Sequence, residues 1–387
     1  MSLTGPITAA LAVLLCVLMP ILTLVLWNRF GRGDSSWAAV RRWIGRGGFL
    51  LGSQLTAVLL IAVLGNDANH FYTSWLELIG DHHTVSHPTA APGNQDHLLQ
   101  PKLADAVAHD RGLIVPIKIA GTASGINGFT ALVYLPAQYG QPGYADRTFP
   151  VVELIAGSPG TPTTWTQSLH VASVLDTEIA AGRTQPMIVV MPSQDVDGLR
   201  DTQCVNVVGG PKVELYLTTD VRATIRSAFR ADMAPGAWSL MGYSSGGFCA
   251  TNIAMRHPDL YRAGVSIAGY SSPAHDHQTG ELFGHNTALR NENTPLWRAQ
   301  HLPPPNVALL LMTSKDDPQT DRDARKLAAV AREPLAVTLI PLAHGGHNFE
   351  VWRADEPVAF AWLSAHLPPA LAPAPVVDNV SPVIVTR

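Results

Sequence analysis

The chain has 387 residues; 47% are hydrophobic and only 14% are charged, against about 25% in an average soluble protein. Its net charge of -4 argues against a nucleic-acid binder that works by neutralising phosphates, and 32 Gly and 30 Pro are too few for a collagen-like or low-complexity chain. Three cysteines exclude a disulfide-built miniprotein and a zinc site of four cysteines.

No charged side chain occurs from Met1 to Asn28, and Pro6 to Trp27 is almost wholly apolar. At 1.5 Å per residue that run reaches roughly 33 Å, enough for a bilayer core of about 30 Å. Pro20 kinks such a helix without forbidding it. A second uncharged run goes from Gly47 to Asn66. Together they predict a transmembrane hairpin over 1–66, with helices at about 6–27 and 47–66. The connecting segment holds Arg29, Arg32, Arg41, Arg42 and Arg46, with Asp34 as its only acid, and no further Lys or Arg occurs before Lys102. The positive-inside rule then puts this loop in the cytoplasm and both flanks outside. The expected location is the cell membrane, with two spans and an extracytoplasmic C-terminal body. A cleaved signal peptide fits poorly, because the basic residues follow the apolar run and no A-x-A site closes it. Ser53, Gln54 and Thr56 leave room for the second run to be a buried core helix instead.

Residues 67–108 read as an extracytoplasmic linker. His70, His82, His83 and His87 fall here, but Pro88, Pro92 and Gly93 offer no frame to fix metal ligands. Phe71, Tyr72 and Trp75 suit an interfacial aromatic belt. From about 109 to 368 the pattern alternates strand and helix. Apolar, β-branched runs at 113–121, 129–136, 149–157, 187–192, 237–243, 263–270, 307–314 and 335–343 predict strands. Helices are expected at 164–181, 216–230, 246–257, 319–332 and 355–366. The first two runs lack a helix between them and predict an antiparallel lead-in to a mostly parallel, doubly wound sheet. The tail, 369–387, is Pro-rich.

Ligand sites on open α/β sheets lie beyond the carboxyl ends of strands, and three such points carry reactive groups. Gly242-Tyr243-Ser244-Ser245-Gly246 stands between a strand and a helix. This G-x-S-x-G spacing puts a serine on a tight turn where its hydroxyl stands clear of the sheet, so Ser244 is the candidate nucleophile. The strand at 307–314 ends in Lys315-Asp316-Asp317, and the last strand in His344-Gly345-Gly346-His347. The order serine, acid, histidine is that of the α/β-hydrolase fold. Asp317 is favoured over Asp316 by its distance from Ser314, and His347 over His344 by the preceding Gly-Gly. Cys204 and Cys249 both fall in the exterior body near the catalytic edge, which favours a disulfide between them. The stretch 269–306 lacks periodicity and is expected to cap the pocket. Its His275, Asp276 and His277 lack a fourth ligand at metal spacing. Trp165 and Trp352 read as core residues near the site, and His170 and His257 as packing or helix-surface residues.

The pieces LIAGSPGTPTTW (154–165), MGYSSGGFCA (241–250), SKDDP (314–318) and HGGHNFEVW (344–352) resemble the esterase D-like family of α/β-hydrolases, which includes the antigen 85 mycolyltransferases. The resemblance spans about 110–368 and supports His347. With its paired apolar helices, the chain is most similar to uncharacterised actinobacterial membrane esterases. An oxyanion hole is expected from the N–H of Ser245, next to the nucleophile, and the resemblance implies Ser158 as the second donor. The expected function is a membrane-anchored serine esterase or acyltransferase that forms an acyl-enzyme on a lipid or cell-envelope ester, with no metal, organic cofactor or nucleic-acid partner. A catalytically inactive envelope-binding module and a serine peptidase on the same fold are the alternatives. The sequence carries no signal for oligomeric state.

Overall fold

The computed structural model describes residues 6–27, 36–69, 96–198, 200–342 and 344–370. The readings placed on His70, His82, His83, His87, Phe71, Tyr72, Trp75 and the tail beyond 370 lie outside them. The chain falls into two compact units, a helical hairpin and a sheet-containing unit.

The hairpin consists of α1 (Pro6–Leu26) and α2 (Ser36–Asn69), which pack on each other. The segments Ile7–Leu26 and Trp43–Gly65 are long and apolar enough to cross a membrane. Almost none of the second is buried, which speaks against the core-helix alternative. Its hydroxyls are satisfied locally: Ser53 Oγ donates to Phe49 O at 3.0 Å and Thr56 Oγ1 to Ser53 O at 3.0 Å. Thr23 Oγ1 of α1 lies 3.2 Å from Ser53 Oγ. Arg41, Arg42 and Arg46, read from the sequence as loop residues, belong to α2, which starts eleven residues earlier than expected from Gly47.

In the second unit, the stretch 96–108, read as linker, contains α3 (Asp96–Ala108). Leu99, Leu103 and Ala106 recur on one face and are buried against the core. Eight strands follow at the expected places: β1 (Leu113–Lys118), β2 (Thr130–Leu135), β3 (Val151–Ile155), β4 (Ile188–Met191), β5 (Trp238–Tyr243), β6 (Ala263–Ile267), β7 (Ala308–Ser314) and β8 (Ala336–Leu342). They form one sheet in the order β1-β2-β4-β3-β5-β6-β7-β8. β1 pairs antiparallel with β2 and β2 with β4, and all other pairs are parallel. This is the mostly parallel sheet with an antiparallel lead-in that the runs predict. Every residue of β3, β4, β5, β6 and β7 is buried, as sheets covered by helices on both faces require.

The register sets the site. Ile155 of β3 lies opposite Gly242 of β5, so the loop after β3 arrives beside Ser244. Ser314 of β7 lies opposite Leu342 of β8, so the segments carrying Asp317 and His347 leave the sheet at the same edge.

Candidate active site

Ser244 occupies the turn between β5 and α8 (Ser245–Arg256) at φ 56 and ψ -125, a conformation unfavourable for a residue with a Cβ. The turn closes because its flanking glycines have no side chains. A Cβ on Gly242 would sit 2.1 Å from Gly246 O, and one on Gly246 would sit 2.1 Å from Ile155 O. Ser244 N–H donates to Ile267 O at 2.9 Å, pinning the strained turn to β6.

Three of the predicted residues converge here. His347 Nε2 lies 2.8 Å from Ser244 Oγ, and His347 Nδ1 lies 2.7 Å from Asp317 Oδ2. A carboxylate only accepts, so Nδ1 carries the hydrogen and Nε2 is left to accept the Ser244 hydroxyl. Asp317 stands just before α11 (Pro318–Val330). Burial alone pushes its carboxyl up, but hydrogen bonds from His347 and Thr320 outweigh burial and hold it below the usual carboxylate range. The alternatives face elsewhere. Asp316 Oδ2 accepts from Gly345 N–H at 2.9 Å, and His344 lies 3.6 Å from Asp316 with 91% of its side chain exposed. An aromatic stack backs the histidine. Trp352 meets the His347 ring edge-on at 4.9 Å and stacks on Tyr243 at 4.6 Å, which in turn meets Trp165 at 5.1 Å. Trp165 and Trp352 are buried, as core residues should be.

Ser245 opens α8, so its N–H is among the first four of a helix and has no acceptor within it. Ser158 reaches the same place, but its N–H is engaged: it donates to Ser245 Oγ at 2.8 Å. The Ser245 hydroxyl is held in turn by Asp201, whose carboxyl burial pushes up to about 6. Gly160 N–H donates to Asp195 Oδ2 at 2.9 Å. Burial also pushes the Asp195 carboxyl up, and this acid accepts from the Ser158 side chain. Cys204 and Cys249 form a disulfide with Cα atoms 5.6 Å apart, tying the Asp201 loop to the helix behind Ser244. Gln203 N–H donates to Asp201 Oδ1 at 2.9 Å and completes that tie.

A family model described as "Putative esterase" matches residues 127–363. This chain belongs to that family. The esterase match takes in Ser158, Ser244, Asp317 and His347. An uncharacterised protein of Corynebacterium glutamicum is 25% identical over 270 residues, which cover 65% of this chain and 62% of the relative's length. Among solved structures, a ferulic acid esterase is 21% identical with a TM-score of 0.56, covering 66% of this chain and 99% of that one. An S-formylglutathione hydrolase from Agrobacterium tumefaciens is 16% identical with a TM-score of 0.57, over 67% and 97% of the two chains. A fluorophosphonate-binding serine hydrolase of Staphylococcus aureus is 16% identical with a TM-score of 0.54, over 66% and 99%. These likenesses establish the α/β-hydrolase fold.

Residues 269–306 of the esterase unit hold two short helices, Thr287–Glu292 and Pro295–His301, where the sequence shows no periodicity. The segment before them is fastened to the disulfide loop. Arg200 Nε donates to Thr279 O at 3.0 Å, Gln203 Nε2 to Thr279 Oγ1 at 3.1 Å, and Ala274 N–H to Gln203 Oε1 at 3.0 Å. Gln278 Nε2 comes within 3.5 Å of Ser158 Oγ, so this loop borders the site as expected of a cap. Asp276 turns inward on its own loop, accepting from Gln278 N–H, Thr279 N–H and Thr279 Oγ1. Among the described residues no His, Cys, Asp and Glu group is arranged to hold a metal. His257 packs against Glu214 at 2.7 Å, away from the reactive groups. Sequence reasoning missed Asp195, Asp201 and Gln278. The first two had a usable signal, because both lie in the loop after β4, at the ligand-binding edge.

Proposed function

We propose that the protein is a membrane-anchored serine esterase that works through an acyl-enzyme. The observation that carries this reading is the continuous relay from Ser244 Oγ to His347 Nε2 at 2.8 Å and from His347 Nδ1 to Asp317 Oδ2 at 2.7 Å. Ser244 Oγ attacks the ester carbonyl carbon while its proton passes to His347 Nε2. The carbonyl electron pair moves onto oxygen, where the N–H groups of Ser245 and Ser158 stabilise it once Ser245 Oγ is displaced. His347 returns the proton to the departing alkoxide, leaving an acyl-serine and a free alcohol. A second hydroxyl repeats the sequence in reverse: water gives a carboxylic acid, and another alcohol gives a new ester, which is the acyltransferase variant. Asp317 orients the imidazole and stabilises its charged form.

The two apolar spans and the arginines between them support anchoring with the esterase unit outside. The Cys204–Cys249 disulfide suits that oxidising side. Tethering supports a lipid or cell-envelope ester as substrate. The assembled relay speaks against an inactive binding module. Labelling with a fluorophosphonate probe tests the chemistry: the wild type is modified and Ser244→Ala is not. Absent labelling, or labelling that survives Ser244→Ala, defeats the enzyme reading. Hydrolysis of p-nitrophenyl esters but not peptide anilides separates esterase from peptidase. Reporters fused in the arginine loop and after residue 110 test the topology.

A further inference from the structure

The hairpin contains a cavity of about 230 Å³ lined by Trp27, Trp43, Arg46, Gly47 and Leu50. Its depth in a membrane follows from where the spans end. Trp27 directly follows the first span, Ile7–Leu26, and Trp43 opens the second, Trp43–Gly65. The cavity therefore lies where both helices leave the hydrocarbon, at the level of phospholipid headgroups. Arg46 Nε donates to Trp27 O at 3.3 Å, and its guanidinium carbon lies 4.7 Å from the Trp27 ring centroid. These contacts fix the direction of the guanidinium, whose two terminal nitrogens carry the remaining donors. Trp43 is 81% exposed, so it forms a wall and not part of a core. A Cβ on Gly47 would meet nothing within 4 Å, so the missing side chain at this position is part of the space.

We propose that this cavity binds the phosphodiester headgroup of an anionic phospholipid, with Arg46 on the phosphate and Leu50 and the indoles against the adjoining glycerol and chain carbons. The inference rests on the hairpin spanning a bilayer. A guanidinium fork matches two phosphate oxygens, and an indole satisfies the amphipathic region just below them. The net charge of the headgroup is chosen by the surroundings. Among the described residues no carboxylate lines the cavity, and the flanking sequence adds Arg29, Arg32, Arg41 and Arg42 against Asp34 alone. The Trp27 ring already carries a cation, the guanidinium of Arg46. A choline group would meet repulsion here, whereas a phosphate with an uncharged alcohol would not.

Native mass spectrometry of the full-length protein in detergent, with phosphatidylglycerol and phosphatidylcholine of equal chain length, tests this. Phosphatidylglycerol should be retained in preference, and Arg46→Gln should cut its retention about tenfold, as loss of a charge-assisted pair implies. Arg46→Lys should keep part of it. Gly47→Phe should abolish the preference by filling the space. Fluorophosphonate labelling of Ser244 should be unchanged in all three variants, which shows that the esterase unit remains folded, and an unchanged helical circular-dichroism signal shows the same for the hairpin. Equal retention of the two lipids, or a preference that survives both Arg46→Gln and Gly47→Phe, would overturn the proposal. Displacement of the lipid by millimolar inorganic phosphate would also overturn it, by making the ligand a free anion. Release of the protein from membranes by carbonate would instead defeat the anchoring reading beneath it.

Discussion

Asp317→Asn changes one oxygen of a carboxylate into an amide nitrogen and leaves the shape of the side chain almost intact. In the wild type, Asp317 Oδ2 accepts from His347 Nδ1 at 2.7 Å, which commits Nε2 to accepting the Ser244 proton at 2.8 Å. An amide that presents its NH2 to Nδ1 forces the hydrogen onto Nε2, where the ring can no longer take a proton from serine. Loss of the correct tautomer and of imidazolium stabilisation costs a triad about 10⁴-fold in kcat, or about 5.4 kcal/mol at 1.36 kcal/mol per decade. The neighbouring acid provides the control. Asp316→Asn keeps an oxygen able to accept from Gly345 N–H, and the His347 Nδ1 bond goes to Asp317 instead, so kcat should fall less than about threefold, as for surface substitutions. Steady-state hydrolysis of p-nitrophenyl acetate by the two variants, with thermal unfolding as a check on folding, reads the contrast. Comparable losses in both, or a larger one for Asp316→Asn, would refute the assignment.

The disulfide closes a loop with a sequence separation of 45, for which chain entropy predicts about 4 kcal/mol. The double variant Cys204→Ala with Cys249→Ala should lose about 10 °C in Tm by calorimetry, and an unchanged Tm would reject that role. Asp201 titrates near pH 6 in the folded protein instead of near 3.8, so the folded state binds more protons and stability falls as pH rises between those values, by about 3 kcal/mol. Asp201→Asn cannot ionise; relative to wild type, its urea stability should match below about pH 4 and exceed it by up to that amount above about pH 6, and a pH-independent difference would contradict the argument. Gly242→Ala places a Cβ 2.1 Å from one backbone oxygen and 2.8 Å from another, neither free to move, and should destabilise the esterase unit by more than about 3 kcal/mol in a denaturant melt.

The fold was legible where burial dictates composition. Strands covered on both faces must be apolar along their whole length, and all eight runs became strands. Legibility fell where two signals compete. Hydropathy reports where a bilayer begins and not where helical hydrogen bonding begins, so the basic first turns of α2 were read as loop. In α3, Pro101 and the Pro-rich approach masked an amphipathic face whose members, Leu99, Leu103 and Ala106, were spaced as a helix requires. The predicted helix at 164–181 breaks into Pro162–Gln167 and Val171–Ala180 because His170 adopts φ 56 without a glycine to announce it. The helix expected at 355–366 starts earlier and runs from Phe349 to His366, with Pro357 inside it.

At the site, the convergence of residues placed by chain order and motif spacing was legible, and contacts that depend on tertiary packing were not. Ser244, Asp317 and His347 lie just past the ends of β5, β7 and β8, and the parallel register puts those ends on one edge of the sheet. Asp201 meets Ser245 only because the loop after β4 is stapled to α8 through Cys204 and Cys249, and no local pattern encodes that encounter. Its consequence is chemical. In the proposed mechanism, with Ser158 N–H bound to Ser245 Oγ, the resting oxyanion site is already occupied by a neutral acceptor. A substrate carbonyl of similar strength gains little by displacing it, since a neutral hydrogen bond is worth about 0.5–1.5 kcal/mol net. The charged oxygen that forms during attack draws roughly twice as strong a bond from the same donor. Exchange of the serine hydroxyl for substrate oxygen therefore favours the transition state over the ground state, which is the difference that accelerates a reaction.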